Sequence, residues 1–167
     1  MEGDRQSLEE HIKEVYAQAG LALYLAQCLE MSLANFLFIF YRATNKQVAV
    51  EDLLAIEESN SRKTLGALLK RAKKFCNFDQ DGIERLDEAL AFRNQLAHHF
   101  FKEHGEDFLS FSGREKMLDT LSEMQRSFQI ADTLMEAINR AMSQAVGVTD
   151  EIIQQELDKI YARAADA

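Results

Sequence analysis

The chain of 167 residues contains no proline and no tryptophan, and it has seven glycines and two cysteines. Without proline, no residue is present that removes a backbone donor and kinks a helix, and few glycines leave few points of high backbone freedom. Long windows instead consist of Ala, Leu, Glu, Gln, Lys and Arg, which lose little side-chain freedom in a helix. We therefore predict an all-α protein, and the length predicts a single domain over residues 1–167.

The two cysteines, Cys28 and Cys76, are too far apart to match a metal-binding spacing, and two are too few for a disulfide framework. We expect buried free thiols in a reducing compartment, with no metal and no other cofactor. The first ten residues, MEGDRQSLEE, contain neither a basic leader nor an apolar segment. No signal peptide is expected, and a cytoplasmic location is predicted.

Residues 21–41 form the most apolar stretch, LALYLAQCLEMSLANFLFIFY. Gln27, Glu30 and Asn35 interrupt it, and a carboxylate near the centre of a bilayer costs about 2.5 kcal/mol or more. We therefore expect a helix buried in protein and no membrane contact. Ser7 and Glu10 form a capping pair that predicts the start of this helix near Ser7. It continues to about Ala43, either unbroken or bent near Gly20.

Apolar periodicity predicts the remaining helices. A short helix is expected over residues 50–58, a third after Ser61, a fourth over about 82–103, and a long fifth from the capping pair Ser112 and Glu115 to about 146. Gly147 ends the fifth helix and Thr149 opens a last one. Together they predict an antiparallel bundle of five to six helices, with short disordered ends at about 1–6 and 163–167.

Each predicted helix has an expected buried face. On the first it comprises Leu21, Leu25, Cys28, Leu29, Ser32, Phe36 and Ile39; on the third Leu65, Leu68, Leu69 and Ala72; on the fourth Ile83, Leu86, Leu90, Ala97 and Phe101; and on the fifth Met117, Leu121, Met124, Phe128, Ala131, Leu134, Met135 and Ile138. The methionines on the fifth helix are expected to fill the core rather than to form a binding surface.

The formal net charge of -9 opposes wholesale coating of nucleic acid, because phosphate binding depends on Lys and Arg. One window, residues 61–76, has the opposite sign. It contains six basic residues and no acidic ones, namely Arg62, Lys63, Lys70, Arg71, Lys73 and Lys74. These residues form either a solvated helix face or a short track for an RNA backbone.

The segment LAFRNQLAHHFF, residues 90–101, has polar groups in an apolar setting. On a helix Asn94 and His98 share a face, and the side chain of Arg93 is long enough to reach the same space. A guanidinium binds phosphate through paired donors, and an imidazole exchanges protons near neutral pH. Together these groups suit phosphodiester cleavage without a metal. The alternative is a surface Arg93 with a packed His98.

The string RNQLAH, with the neighbouring TLGALLK and EALAFRNQLAHHFF, resembles the signature of the HEPN superfamily (higher eukaryotes and prokaryotes nucleotide-binding domain). The resemblance implies a bundle of four to six helices that forms a homodimer, in which the motif helices of two subunits make one composite site. It also implies a metal-independent endoribonuclease, in some members a toxin or phage-defence component held silent by an antitoxin or other regulatory protein.

Carried onto this sequence, the resemblance makes Arg93 the phosphate-binding residue and His98 the general acid or base, with Asn94 positioning one of them. Attack by the ribose 2′-hydroxyl would restrict cleavage to RNA and leave a 2′,3′-cyclic phosphate. In one toxin branch a tyrosine that the antitoxin modifies stands two positions after the histidine. Phe100 occupies that position here, so we do not expect this form of regulation.

Glu30 and His99 are candidate supporting residues. A charge in the most apolar helix requires a partner, so Glu30 either orients Arg93 or lies at an exposed groove or subunit boundary. His99 has no counterpart in the pattern and points about 100° away from His98, which is typical of a packing or surface residue. A different class of function also fits the sequence, a non-catalytic helical regulator or adaptor that binds a protein partner or a nucleotide.

Overall fold

Two long helices form the centre of the protein. The computed structural model describes residues 2–44 and 64–165, and this part of the chain contains no strand. Its helices are α1 (Glu2–Thr44), α2 (Leu65–Phe75), α3 (Gln80–His98), α4 (Phe100–Glu103), α5 (Phe111–Ala145) and α6 (Asp150–Ala165), with a 3₁₀ turn at Asp107–Leu109. The predicted all-α helical bundle is confirmed. The predicted helix over residues 50–58 lies outside the described residues.

Helix α1 runs unbroken for 43 residues and passes through Gly20 without interruption. It begins at Glu2, so the start predicted at Ser7 is wrong, while its end at Thr44 agrees with the predicted Ala43 to one residue. The helix is also long and apolar enough, by length and composition, to cross a membrane. Its inner face nevertheless forms the centre of the bundle core, and core helices of water-soluble bundles have the same composition.

The buried face of α1 agrees with the predicted one in part, since Leu29, Ser32 and Phe36 are buried as expected and Leu25, Cys28 and Ile39 are partly buried. It consists of Val15, Ala19, Ala22, Ala26, Leu29, Ser32, Leu33, Phe36 and Leu37. Leu21, which we expected inside, is 43% exposed. Because apolar residues occur on all sides of this helix, periodicity alone could not select the stripe that faces inward, and packing against the other helices decides it.

The core face of α5 matches the prediction more closely. Met117, Leu121, Met124, Phe128, Ala131 and Met135 are fully buried, with Leu134 and Ile138 packed at the edge. The methionines therefore fill the core, as expected. The predicted face of α2 is likewise confirmed, since Leu65, Leu68, Leu69 and Ala72 are all buried.

Ser110, rather than the predicted Ser112, caps the N-terminus of α5. Its hydroxyl oxygen accepts a hydrogen bond from the backbone N–H of Gly113 at 3.0 Å. The 3₁₀ turn folds back onto the first turn of the helix, and a Cβ at Gly113 would overlap the carbonyl oxygen of Asp107. This close approach leaves Ser110 as the last extended residue before the helix, and Ser112 already lies within it.

The directions of the helices are mixed. α1 and α5 run parallel, because His11 pairs with Glu115, Gln18 with Gln125 and Ser32 with Asp132. α3 runs antiparallel to α1, because Phe78, just before α3, lies near Phe36 while Arg93 reaches back to Glu30. It runs antiparallel to α5, because Gly82 lies near Leu134 while Glu88 accepts from Ser127. The antiparallel arrangement expected from the sequence therefore describes α3 and its neighbours, and the α1–α5 pair departs from it.

Gly147 has a φ of 87° directly after α5, which confirms its predicted role in ending that helix. Both cysteines are free thiols and are partly rather than fully buried. Desolvation raises the pKa of the Cys76 thiol, which keeps it protonated and weakly nucleophilic near neutral pH.

Two glycine substitutions test this packing. We expect Gly113→Ala to lower the free energy of unfolding by about 1–3 kcal/mol, because the added methyl group must push the Asp107 backbone away. We expect Gly20→Ala to raise it by about 0.5–1 kcal/mol, because a Cβ there meets no atom within 4 Å and alanine favours the helix. Urea denaturation followed by circular dichroism measures both. Equal effects from the two substitutions would contradict the close approach at Gly113.

Candidate functional site

The motif residues occupy the C-terminal end of α3. Asp79 is the N-cap of this helix, because its carboxylate accepts a hydrogen bond from the Gly82 N–H at 2.8 Å. Gly82, Leu86 and Ala89 then face the core, so Arg93 lies at the boundary between core and solvent. The predicted helix over 82–103 is interrupted at His99, whose φ and ψ are -130° and -27°. Beyond this bend, α4 directs Phe100 into the core.

Glu30 on α1 connects three helices. Its Oε1 accepts a hydrogen bond from Arg93 Nε on α3 at 3.1 Å and another from the Leu65 backbone N–H at 3.2 Å. Leu65 is the first residue of α2, and the capping position Thr64 supplies no side-chain hydrogen bond. The Glu30 carboxylate therefore takes the place of an N-cap, where negative charge also complements the helix dipole.

The pair formed by Glu30 and Arg93 is mostly shielded from solvent, with side-chain exposures of 24% and 21%. This geometry holds Arg93 through its Nε. The two terminal nitrogens of the guanidinium make no hydrogen bond to the described residues. They keep the planar pair of donors with which arginine binds a phosphate. The expected contact of Glu30 with Arg93 is thus present, and its part in a functional site stays a prediction.

Asn94, His98 and His99 are all exposed to solvent. None of the three side chains is hydrogen-bonded to another residue in the described ranges. The two imidazole rings lie edge to face, with centroids 6.1 Å apart. Within one subunit the structure therefore pairs Arg93 with Glu30 and leaves the two histidines and Asn94 open to an incoming molecule.

The basic residues of the window 61–76 differ in whether their side chains have a partner. Arg71 donates to the Tyr41 hydroxyl at 2.6 Å and lies over that ring, and Lys73 pairs with Asp87 at 2.5 Å. Lys70 and Lys74 are exposed and stand one turn apart on α2. Arg62 and Lys63 lie outside the described residues. Of the described residues in the predicted track for an RNA backbone, Lys70 and Lys74 are the two that have no partner.

Sequence reasoning missed two features beside the motif. Ala97 and Phe101 were expected on the buried side of a continuous helix, but both are exposed. The bend at His99 turns α4, and with it Phe101, away from the line of α3, whereas Ala97 lies in the last turn of α3 itself. Phe101 instead contacts Tyr16 of α1, with ring centroids 5.8 Å apart. The position of Phe101, three residues after His98, was a signal in the sequence that could have placed it at the site.

Open grooves of about 900 and 490 Å³ lie between α1 and α5 and share Ser32, Asn35 and Glu136. Ser32 is about 200° around α1 from Glu30. The grooves therefore face away from the motif. Comparison of the chain with protein-family models, curated proteins and solved structures found no match. The resemblance to the HEPN pattern stays a prediction that rests on the residues themselves.

A double-mutant cycle tests the contact between Glu30 and Arg93. We expect Glu30→Ala to lower the free energy of unfolding by about 1–2 kcal/mol, more than Arg93→Ala, because it also uncaps α2. The coupling energy of the two substitutions should be about 0.5–1 kcal/mol, since the pair is partly screened by solvent.

The exposed ion pair between Asp81 and Arg85 is the matched control, measured by the same denaturation experiment. Its hydrogen bond lowers the pKa of Asp81, but solvent surrounds both groups, so its coupling energy should be smaller. A Glu30–Arg93 coupling no larger than that of the control would show that the partial burial of the pair does not strengthen it.

Proposed function

We propose that the protein is a metal-independent endoribonuclease of the HEPN type that acts as a homodimer in the cytoplasm. The observation that carries the proposal is the hydrogen bonding and solvent exposure of the motif side chains. Glu30 holds Arg93 at Nε, the terminal guanidinium nitrogens are not hydrogen-bonded to the described residues, and His98 and Asn94 on the same helix are open to solvent. A site that binds phosphate and exchanges protons needs these properties.

In this proposal Arg93 binds the scissile phosphate and stabilises the negative charge that develops on it. His98 removes the proton of the ribose 2′-hydroxyl or protonates the leaving 5′-oxygen, and Asn94 positions one of the two groups. The 2′-oxygen attacks phosphorus while the bond to the 5′-oxygen breaks, which leaves a 2′,3′-cyclic phosphate. Lys70 and Lys74 are the described candidates for contacts with the RNA backbone, and His99 is a candidate supporting residue.

Incubation with end-labelled RNA in excess EDTA tests the chemistry. We expect His98→Ala to lower the cleavage rate by about 10²- to 10⁴-fold and Arg93→Ala by about 10²- to 10³-fold. The matched control is Arg126→Ala, since Arg126 is an exposed arginine on α5 outside the motif. His99→Ala measures the contribution of the neighbouring imidazole. Cleavage that is unchanged in both motif variants, or cleavage of an all-deoxy strand, would contradict the proposal.

Mixing two inactive variants tests the composite site. One Arg93 and one His98 make a sparse site in a single subunit, whereas a two-fold axis supplies two copies of each. If one site draws on both subunits, subunit exchange between the Arg93→Ala and His98→Ala proteins should restore part of the wild-type rate, because each heterodimer retains one intact copy of each residue. Recovery is measured after exchange at high protein concentration. An absence of recovery, with heterodimers shown by native mass spectrometry, would limit each site to one subunit.

The outer face of α1 favours a second candidate function, a helical regulator or adaptor. Leu21, Tyr24 and Met31 are exposed there, and the one charged residue of α1 between Ala17 and Asn35 is Glu30, which pairs with Arg93 on another side of the helix. An uncharged exposed face of this length is typical of a surface that binds another protein. If EDTA-treated protein cuts none of a varied set of RNAs, this function takes precedence, and the motif then serves the fold through the contact of Arg93 with Glu30.

A further inference from the structure

A cluster of aromatic rings lies at the end of the motif helix. Tyr16 on α1 and Phe101 on α4 have ring centroids 5.8 Å apart, and Phe108 of the 3₁₀ turn stands 5.6 Å from Tyr16 and 6.5 Å from Phe101. Phe108 is partly buried against the core. Tyr16 and Phe101 nevertheless remain 56% and 45% exposed. The cluster therefore presents two supported rings to solvent.

These rings are close to the proposed catalytic histidine. Phe101 follows His98 by three residues, so their Cα atoms are at most roughly 11 Å apart. The position of Phe101 is set by the bend at His99, which directs Phe100 into the core and leaves Phe101 on the surface. The backbone of the ring-bearing segment thus adjoins that of the proposed catalytic histidine.

Charged residues of both signs flank the two rings. Lys13 lies one turn before Tyr16 on α1, and Lys102 follows Phe101. Both lysines are exposed, and neither has a hydrogen bond or ion pair to the residues that the structure describes. Two carboxylates are also neighbours, Glu14 and Glu103, which accept hydrogen bonds from the neutral amides of Gln18 and Gln95 and keep their charge. The protein is acidic as a whole, but ammonium groups adjoin these rings.

We propose that Tyr16 and Phe101 form a stacking platform for bases next to the cleavage site, which makes the substrate a single-stranded segment of RNA. The inference rests on the proposed ribonuclease function. Exposed aromatic rings bind unpaired bases through their faces, and neighbouring lysines hold the phosphates of the same strand. In a duplex the base faces are stacked on one another and the rings could not reach them. The position of Phe101 three residues after His98, together with the two lysines that are unpaired in the described part of the chain, favours RNA over an apolar protein surface as the occupant.

Binding of an RNA octamer that cannot be cleaved tests the platform. Each 2′-oxygen of the octamer is methylated, and a second octamer of equal length and charge has abasic sites in its central positions. Fluorescence anisotropy measures both against the full-length protein at low salt. We expect the wild type to bind the octamer with bases about 5- to 150-fold more tightly than the abasic one, because stacking contributes that much per base.

The Tyr16→Ala/Phe101→Ala double variant should lose this preference for bases, while Tyr16→Phe, which keeps the ring, should retain it. Tyr161→Ala removes an exposed tyrosine on α6 and is the matched control. Circular dichroism checks the fold of each variant. A preference that survives in the double variant, or equal or absent binding of the two octamers by the wild type, would overturn the platform.

Sedimentation of the same variants separates this platform from a subunit contact. If the wild type sediments as a dimer and the double variant as a monomer, the rings belong to the contact between subunits, and the proposal is overturned. The failure of each idea is also distinguishable. If the wild type prefers the octamer with bases but does not cleave ordinary RNA, only the ribonuclease proposal is contradicted. If the double variant cleaves RNA at the wild-type rate and keeps the preference for bases, only the platform is contradicted.

Discussion

The carboxylate of Glu30 is the interaction on which the arrangement of the motif depends. It lies in the most apolar helix of the protein, where a charge without a partner would be costly. Its two partners come from different helices, the guanidinium of Arg93 on α3 and the first N–H of α2. One oxygen atom thus fixes the start of α2 and the side chain of the proposed phosphate-binding residue relative to α1. The same carboxylate therefore connects three helices and positions Arg93 in the candidate site.

The helices that could be predicted best were those with one apolar stripe. α2 and α5 have such stripes, and their buried residues agree with the periodicity. α1 is apolar all round, so its inner face depended on contacts that no single helix specifies. The start of α5 was wrong by two residues because Ser110 and Ser112 are both good caps. A backbone approach between Gly113 and Asp107 decides between them, and such an approach has no signature in the sequence.

The candidate site was predictable to a similar degree. The cost of an unpaired charge made Arg93 a natural partner for Glu30, and the structure contains that contact. The hydrogen bond from the Leu65 backbone N–H to Glu30 could not be predicted, because every residue except proline has a backbone N–H and the sequence does not mark the one that donates. The bend at His99 was also hidden, since the residues around it all tolerate a helix. Beyond the bend Phe101 faces solvent, although its spacing had predicted a buried side, and Ala97, in the last turn before the bend, is exposed as well.

The parallel pairing of α1 and α5 has a consequence for how the chain folds. The residues that join these helices, His11 with Glu115 and Gln18 with Gln125, are separated by 104 and 107 positions. Bringing them together closes a loop of about 100 residues, which costs roughly 4 kcal/mol of chain entropy before the contacts form. Contacts between residues so far apart in the sequence form slowly. During synthesis the part of the apolar inner face of α1 that packs on α5 stays uncovered until α5 has left the ribosome, and in that interval it is a binding surface for chaperones.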